Sequence, residues 1–127
     1  MEMFKDAVSW VEIPVSDFNR AKEFYSKIFD YVMPEMKIGA STMGILLYDQ
    51  TSGGIGAAIV KGDGYVPSSA GVKVYLNGGR DLNIVLKRVE LAGGKIILRK
   101  TEIAPSLGFL ATFVDTEGNH ISFHSPK

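Results

Sequence analysis

Two side chains, Glu12 and His124, have the chemistry of a general acid or base. A carboxylate and an imidazole can each exchange a proton near neutral pH when their surroundings shift the pKa. Glu12 is a general base or a substrate anchor on one interpretation, and a structural carboxylate paired with a cation such as Lys73 on the other. His124 lies three residues from the end of the chain. It is a catalytic candidate only if it meets Glu12, and is otherwise a solvated residue.

Further polar side chains recur at alternate positions in two segments of the second half. Alternation places such residues on one face of a strand. The polar members are Lys73, Tyr75, Asn77, His120, Ser122 and His124. They suit a surface that orients a polar ligand, although alternating polar residues also form ordinary solvent-facing strands. Trp10, on the same predicted face as Glu12, is interpreted mainly as a cavity wall that can contact a ligand.

Composition narrows the classes of partner. Lys and Arg total 14, as do Asp and Glu, so no net charge draws the chain to nucleic acid or an anionic membrane. The chain has no Cys, which excludes thiolate metal sites and disulfides and fits the cytoplasm. No apolar run approaches the roughly 20 residues that span a bilayer. We therefore expect a soluble, cytoplasmic, single-domain protein with a small-molecule ligand.

Hydrophobic periodicity divides the chain into two halves with the same order of elements. The first half, about 8–61, predicts a strand, an amphipathic helix that begins after Asp17, and three short strands. A segment rich in Gly, Pro and Ser, about 62–71, indicates a linker between the halves. The second half, about 72–125, repeats the order, with Gly93 ending its helix. The sequence predicts an α+β domain of two βαβββ modules.

The alternating strands predict which residues face the helices. The apolar alternates are Val11, Ile13, Val15, Val72, Val74, Leu76, Ile121 and Phe123. The opposite face is polar, and it would line a ligand cavity if the sheets curve around it.

Several segments resemble the vicinal oxygen chelate superfamily, which includes glyoxalases, bleomycin-resistance proteins and extradiol dioxygenases. Residues 10–29 resemble its first strand and helix, with Asp17 leading into Ala-x-x-Phe-Tyr. Four segments of the second half resemble, in the same order, segments that are usual in the family's second repeat: 74–77, 93–95, 100–103 and Asp115-Thr-Glu-Gly-Asn119. The resemblance implies a curved mixed β-sheet cleft with helices on the outside.

The resemblance also implies a metal site, but its ligands are absent from this chain. In the family, His, Glu or Gln side chains on paired strands hold a divalent ion. The matching positions hold Trp10, Lys73 (or Val74) and Ser122, and the fourth region, 54–59, contains only Gly, Ala and Ile. By resemblance, no metal or other cofactor is expected.

A displaced site is the alternative to a lost one. Glu12 and His124 each lie two residues beyond a lost position and on the same predicted face. His120 and His124 would lie about 13 Å apart along one strand, too far to share an ion. Two ligands fall short of the three or four that a tight site uses.

Three functional hypotheses follow. The first is a metal-independent small-molecule binding protein of the bleomycin-resistance type, with ligand contacts from Trp10, Glu12, Lys73, Tyr75 and Ser122. The second is an enzyme, a lyase, isomerase or dioxygenase of the superfamily's kind, with a displaced or acid/base Glu12/His124 site. The third is an interaction module with a vestigial cavity. The family habit of pairing modules, together with the strand edges that two open sheets expose, predicts a homodimer.

Overall fold

The computed structural model describes residues 1–127 and contains two four-stranded mixed sheets and two helices. The first half has the elements β1 (Trp10–Pro14), α1 (Phe18–Phe29), β2 (Glu35–Ile38), β3 (Ser41–Ile45) and β4 (Gly56–Lys61). The second half has β5 (Tyr75–Asn77), α2 (Leu82–Leu91), β6 (Lys95–Ala104), β7 (Gly108–Val114) and β8 (His120–Ser125). The predicted α+β fold of two βαβββ modules is confirmed. Neither helix has the length and apolar character that crossing a bilayer requires.

Both sheets have the same topology. The strand orders are β1-β4-β3-β2 and β5-β8-β7-β6, and in each sheet the first pair is parallel and the other two pairs are antiparallel. The Val15 amide donates to the Val60 carbonyl at 2.9 Å, and the Gly78 amide donates to the His124 carbonyl at 2.7 Å. These two hydrogen bonds occupy the same place in the two sheets, so Val15 and Gly78 are at equivalent positions. Counting back along the two strands makes Trp10 equivalent to Lys73.

Each helix begins at an aspartate that caps its first turn. The Asp17 carboxylate accepts from the Arg20 amide at 3.1 Å, and the Asp81 carboxylate accepts from the Asn83 amide at 3.0 Å. These bonds satisfy amides that have no partner inside the helix. The αL residue Asp30, with φ 51°, terminates α1.

The two helices share one hydrophobic core with both sheets. Phe24 of α1 packs 5.9 Å from the ring of Phe113 in β7, and Phe29 packs 6.0 Å from Phe123 in β8. Helix α1 also contacts β4 and α2, and α2 contacts the second sheet. Both sheets therefore turn their apolar faces to the same helical layer.

Most of the predicted helix-facing residues lie in this core or against it, but Val72 does not. Its side chain is 93% exposed, because β5 begins only at Tyr75 and Val72 still belongs to the linker. An alternating pattern thus marks strand residues only where a neighbouring strand is present to pair with them.

The turn between β7 and β8 ties the two halves together. The buried Asp115 carboxylate accepts from the Tyr25 hydroxyl at 2.7 Å and from the amides of Glu117 and Asn119 at 2.9 Å each. The Asn119 side chain donates to the Pro14 carbonyl at 2.7 Å. Since Tyr25 and Pro14 belong to the first half, this turn fixes α1 and β1 against the second sheet.

Glu117 extends the same turn to the start of α1. Its carboxylate accepts from the Ser16 amide at 3.1 Å, from the Asp17 amide at 2.7 Å and from Arg20 Nε at 2.7 Å. Burial alone would raise the pKa of Glu117, but the hydrogen bonds from Arg20, Asp17 and Ser16 outweigh it and lower the pKa to about 2. The ionised carboxylate is thus part of the folded structure.

Replacing Tyr25 by Phe removes one bond to a buried carboxylate. We expect Tyr25→Phe to lower the free energy of unfolding by about 2 kcal/mol, the usual size for a hydrogen bond to a charged group. Chemical denaturation measures the change. Tyr75→Phe, which removes an exposed hydroxyl, is the matched control and should change stability by less than about 0.5 kcal/mol. Equal effects of the two variants would show that the turn does not hold α1.

Stability should also depend on pH through Glu117. Its folded pKa lies below the ordinary 4.5, so its contribution is complete above about 4.5 and is lost as the pH falls toward about 2. We expect Glu117→Gln to have a lower free energy of unfolding than the native chain at pH 7. This difference should shrink as the pH falls toward about 2. Denaturation curves at a series of pH values measure this, and a constant difference across the range would contradict it.

Candidate functional site

The outer face of the first sheet, which points away from the helices, carries Glu12. In the parallel pairing Glu12 lies beside Ala58. Its Oε1 accepts from the Tyr65 hydroxyl at 2.7 Å, and the Tyr65 ring packs on the small cluster of Met43, Ala58 and Val60. Glu12 is exposed in the single chain. The partner that the structure gives Glu12 is thus a phenol from the linker, and none of the ion pairs of the chain joins it to Lys73.

Two aromatic rings lie at one end of the outer face of the first sheet. Trp10 and Tyr48 meet edge to face with centroids 6.2 Å apart, directly over Gly56. A Cβ at Gly56 would lie 2.7 Å from the Trp10 ring and 2.5 Å from the Tyr48 ring, so a larger residue there would have to displace the rings. The two rings therefore cover the backbone of β4 at Gly56. Because their planes lie at 76° to each other, the rings form an apolar corner that an aromatic or aliphatic part of a ligand can pack against.

The outer face of the second sheet carries the hydroxyl pair Ser122 and Thr112. These residues are cross-strand neighbours, and their hydroxyl oxygens lie 2.8 Å apart. Ser122 is buried, whereas His120 is exposed. Together with Lys73 they line a cavity of about 320 Å³ that the linker 68–73 closes on one side.

Two of the predicted site residues already have local partners. The Nε2 of the exposed His124 lies 2.7 Å from the Leu107 carbonyl, within hydrogen-bonding distance. The Asn77 side-chain oxygen accepts from the Gly79 amide at 2.9 Å, which stabilises the turn before α2. These contacts are structural, and a ligand would have to replace them.

A larger groove of about 920 Å³ runs between the halves, on the side of the apolar faces. Its lining includes Val11, Phe29, Leu46 and Leu76, and Lys73, Tyr75 and Asn77 reach it from β5 and the linker. Neither this groove nor the smaller cavity includes Trp10 or Glu12.

The structure brings the predicted site residues Lys73, His120 and Ser122 together, but it does not bring Glu12 to them within one chain. The helices pack on both sheets, and the polar face of each sheet points away from them, where Glu12 bonds to Tyr65 and His124 bonds to the Leu107 carbonyl. Glu12 lies on the first of these faces, and His124 lies on the second. A Glu12/His124 pair is therefore not formed in a single chain. The sequence patterns gave no indication of Tyr48, Tyr65 or Thr112 as site residues.

The donor set does not fit the divalent ion that the fold family implies. No group of three or more His, Cys, Asp or Glu side chains could hold a metal ion. The positions that match family ligands hold the indole of Trp10, the cation of Lys73 and the hydroxyl of Ser122, and the fourth region, 54–59, holds only Gly, Ala and Ile. The lysine cation repels a metal ion, the indole does not coordinate one, and a lone hydroxyl does not retain one.

The fold of this chain is similar to the folds of several proteins of known structure. Glyoxalase I from Zea mays, as a point mutant, aligns with a TM-score of 0.69 and 21% identity over 92% of this chain and 45% of its own. FosX, a fosfomycin resistance protein from Listeria monocytogenes with Mn(II) and a dihydroxypropylphosphonic acid bound, aligns at 0.68 and 16% over 98% and 95%. TnmS3, an antibiotic-binding protein from Streptomyces sp. CB03234, aligns at 0.67 and 20% over 99% and 100%.

These likenesses confirm the vicinal oxygen chelate fold that the resemblance implies. The chain spans about half of the maize glyoxalase I and nearly all of the other two proteins. No protein-family model and no curated protein sequence matches the chain.

The Glu12–Tyr65 contact makes a spectroscopic prediction. The hydrogen bond to Glu12 raises the pKa of Tyr65, because the carboxylate stabilises the protonated phenol. We expect Glu12→Gln to lower the Tyr65 pKa, as measured by the ¹³Cζ chemical shift over an alkaline titration. Glu90→Gln, which alters an exposed glutamate on α2, is the control and should leave it unchanged. Identical titrations in the two variants would mean that the contact does not persist in solution.

Proposed function

We propose that the chain binds a small organic molecule without a metal ion, on the outer faces of its two sheets. The observation that carries the proposal is the chemistry of those faces. They combine the aromatic wall of Trp10 and Tyr48, the Glu12–Tyr65 pair, and the cation and hydroxyls of the second sheet. Apolar walls with a few fixed polar groups are typical of ligand sites.

We further propose that a homodimer completes the site. Strands β1 and β5 each have one neighbour in their sheets, so each leaves an unpaired edge. Exposed apolar side chains near these edges and along the groove between the halves are Val8, Leu47, Ile55, Val72 and Ile84. Such a patch favours association. A two-fold axis at this groove would place the first sheet of one copy beside the second sheet of its partner, and would do so twice.

The solved structures of similar fold support binding over catalysis only in part. TnmS3 is an antibiotic-binding protein and FosX is a fosfomycin resistance protein, whereas glyoxalase I is an enzyme. The choice rests on the residues of this chain, since its Trp, Lys and Ser occupy positions that hold metal ligands in the family. The enzymatic alternative requires Glu12 and His124 to meet, and one chain keeps them apart. The absence of cysteine favours a cytoplasmic location.

Ligand-induced stabilisation in the presence of a chelator tests the proposal. A thermal-shift screen of aromatic and polar small molecules, run with excess EDTA, should find compounds that raise the melting temperature. A ligand at a hundred times its Kd adds about 2.7 kcal/mol, which corresponds to at least about 5 °C for a chain of this size. Trp10→Ala should reduce the shift, and Leu91→Ala, which removes an exposed side chain on α2, should not.

Two outcomes would overturn the proposal. Stabilisation that vanishes with EDTA and returns with Ni²⁺, Zn²⁺ or Mn²⁺ would contradict metal independence. A screen without any stabilising compound, together with a monomer in sedimentation at micromolar concentration, would contradict both ligand binding and the dimer.

A further inference from the structure

We infer that the 320 Å³ cavity on the second sheet is an oxyanion site, which takes a carboxylate, phosphate or sulfate group. This inference deepens the proposed function and rests on it, because it assigns the ligand a negative charge. Three features of the cavity carry the inference: its uncompensated cation, its spare hydroxyl donor and its opening into the larger groove.

The cavity wall contains a cation and no anion. Lys73 and His120 line it, and none of its lining residues is Asp or Glu. The ion pairs of the chain use Arg20, Lys22, Lys27 and Lys100, so Lys73 has no carboxylate partner. Lys73 is exposed, and a cation at a concave surface without a carboxylate partner attracts an anion.

The hydroxyl pair supplies a hydrogen-bond donor that the protein does not use. Ser122 and Thr112 carry one hydroxyl hydrogen each, and only one of the two hydrogens lies between their oxygens. Neither hydroxyl has a second hydrogen-bond partner in the chain. The remaining hydrogen is therefore available to an acceptor in the cavity. His120 adds an imidazole N–H, which it carries in both of its protonation states.

The size and position of the cavity indicate the anionic end of a larger molecule. About 320 Å³ is at the lower limit of ligand pockets, enough for a charged group but not for an extended ligand. Val72 and Lys73 line both this cavity and the larger groove. A ligand whose anionic group contacts Lys73 can thus extend an apolar body past Val72 into the mouth of the larger groove, which a dimer partner would cover rather than fill.

Titration with simple anions tests the site directly. Sodium phosphate and sodium benzoate are added separately to the full-length ¹⁵N-labelled chain, at constant ionic strength set with sodium chloride. We expect saturable amide shifts centred on Lys73, Thr112 and Ser122. Benzoate should also shift residues of the larger groove, which phosphate should not, so the two probes separate recognition of the oxyanion from recognition of an attached apolar body.

Variants then assign the interaction. Lys73→Met should weaken binding about ten-fold or more, and Ser122→Ala about five-fold, as expected for a charge-assisted and a neutral hydrogen bond. Lys61→Met, which removes an exposed lysine on the first sheet, is the matched control and should leave the affinity unchanged. Denaturation midpoints equal to that of the native chain show that each variant is folded.

The results that overturn the inference are distinct from failure of the proposed function. Shifts that spread over exposed lysines, fail to saturate or respond equally to Lys61→Met would remove the oxyanion site. Organic ligands that bind Lys73→Met as tightly as the native chain would also remove it, while leaving the proposed function intact. Saturable anion binding at Lys73 in a chain that binds no organic ligand would support the site and overturn the proposed function.

Discussion

The buried turn from Asp115 to Asn119 is the constraint on which the arrangement of the molecule depends. Its carboxylate and amide groups hold Tyr25 and Pro14, and Glu117 beside them holds the first turn of α1. No buried side-chain polar atom in the structure lacks a hydrogen-bond partner. Removing one partner would leave a buried charge or amide unpaired, which costs more than the bond itself contributes. The turn therefore fixes the orientation of one half against the other.

That orientation decides where a ligand can bind. Because α1 contacts the aromatic residues of the second sheet as well as β4, the helices form one layer that both sheets cover. The polar face of each sheet is left on the outside, and the edges of β1 and β5 remain free. Each sheet thus carries part of the proposed site on its outer face. A dimer would bring the part on one copy next to the part on the other copy.

Local patterns predicted the elements of this fold well. Asp17 predicted the start of α1, which begins at Phe18, and Gly93 was predicted to end the second helix and follows α2 with φ 101°. Periodicity reports which face of an element is apolar, but not which other element covers it. The partner of Glu12 was missed for this reason, since Tyr65 reaches it from the linker across a separation of 53 residues. The shared helical layer depends on Tyr25, Asp115 and Asn119 meeting in space, which no local pattern records.

The most direct test of the account is the distance between the two outer faces across a dimer. The chain has no Cys, so a single spin label can be attached at Glu12→Cys in one sample and at His120→Cys in another. After the samples are mixed and allowed to exchange subunits, pulsed dipolar spectroscopy reports only distances between copies. The account predicts a narrow, short distance between the differently labelled copies. Monomeric chains without dipolar coupling, or dimers in which these two labels lie on remote surfaces, would contradict it.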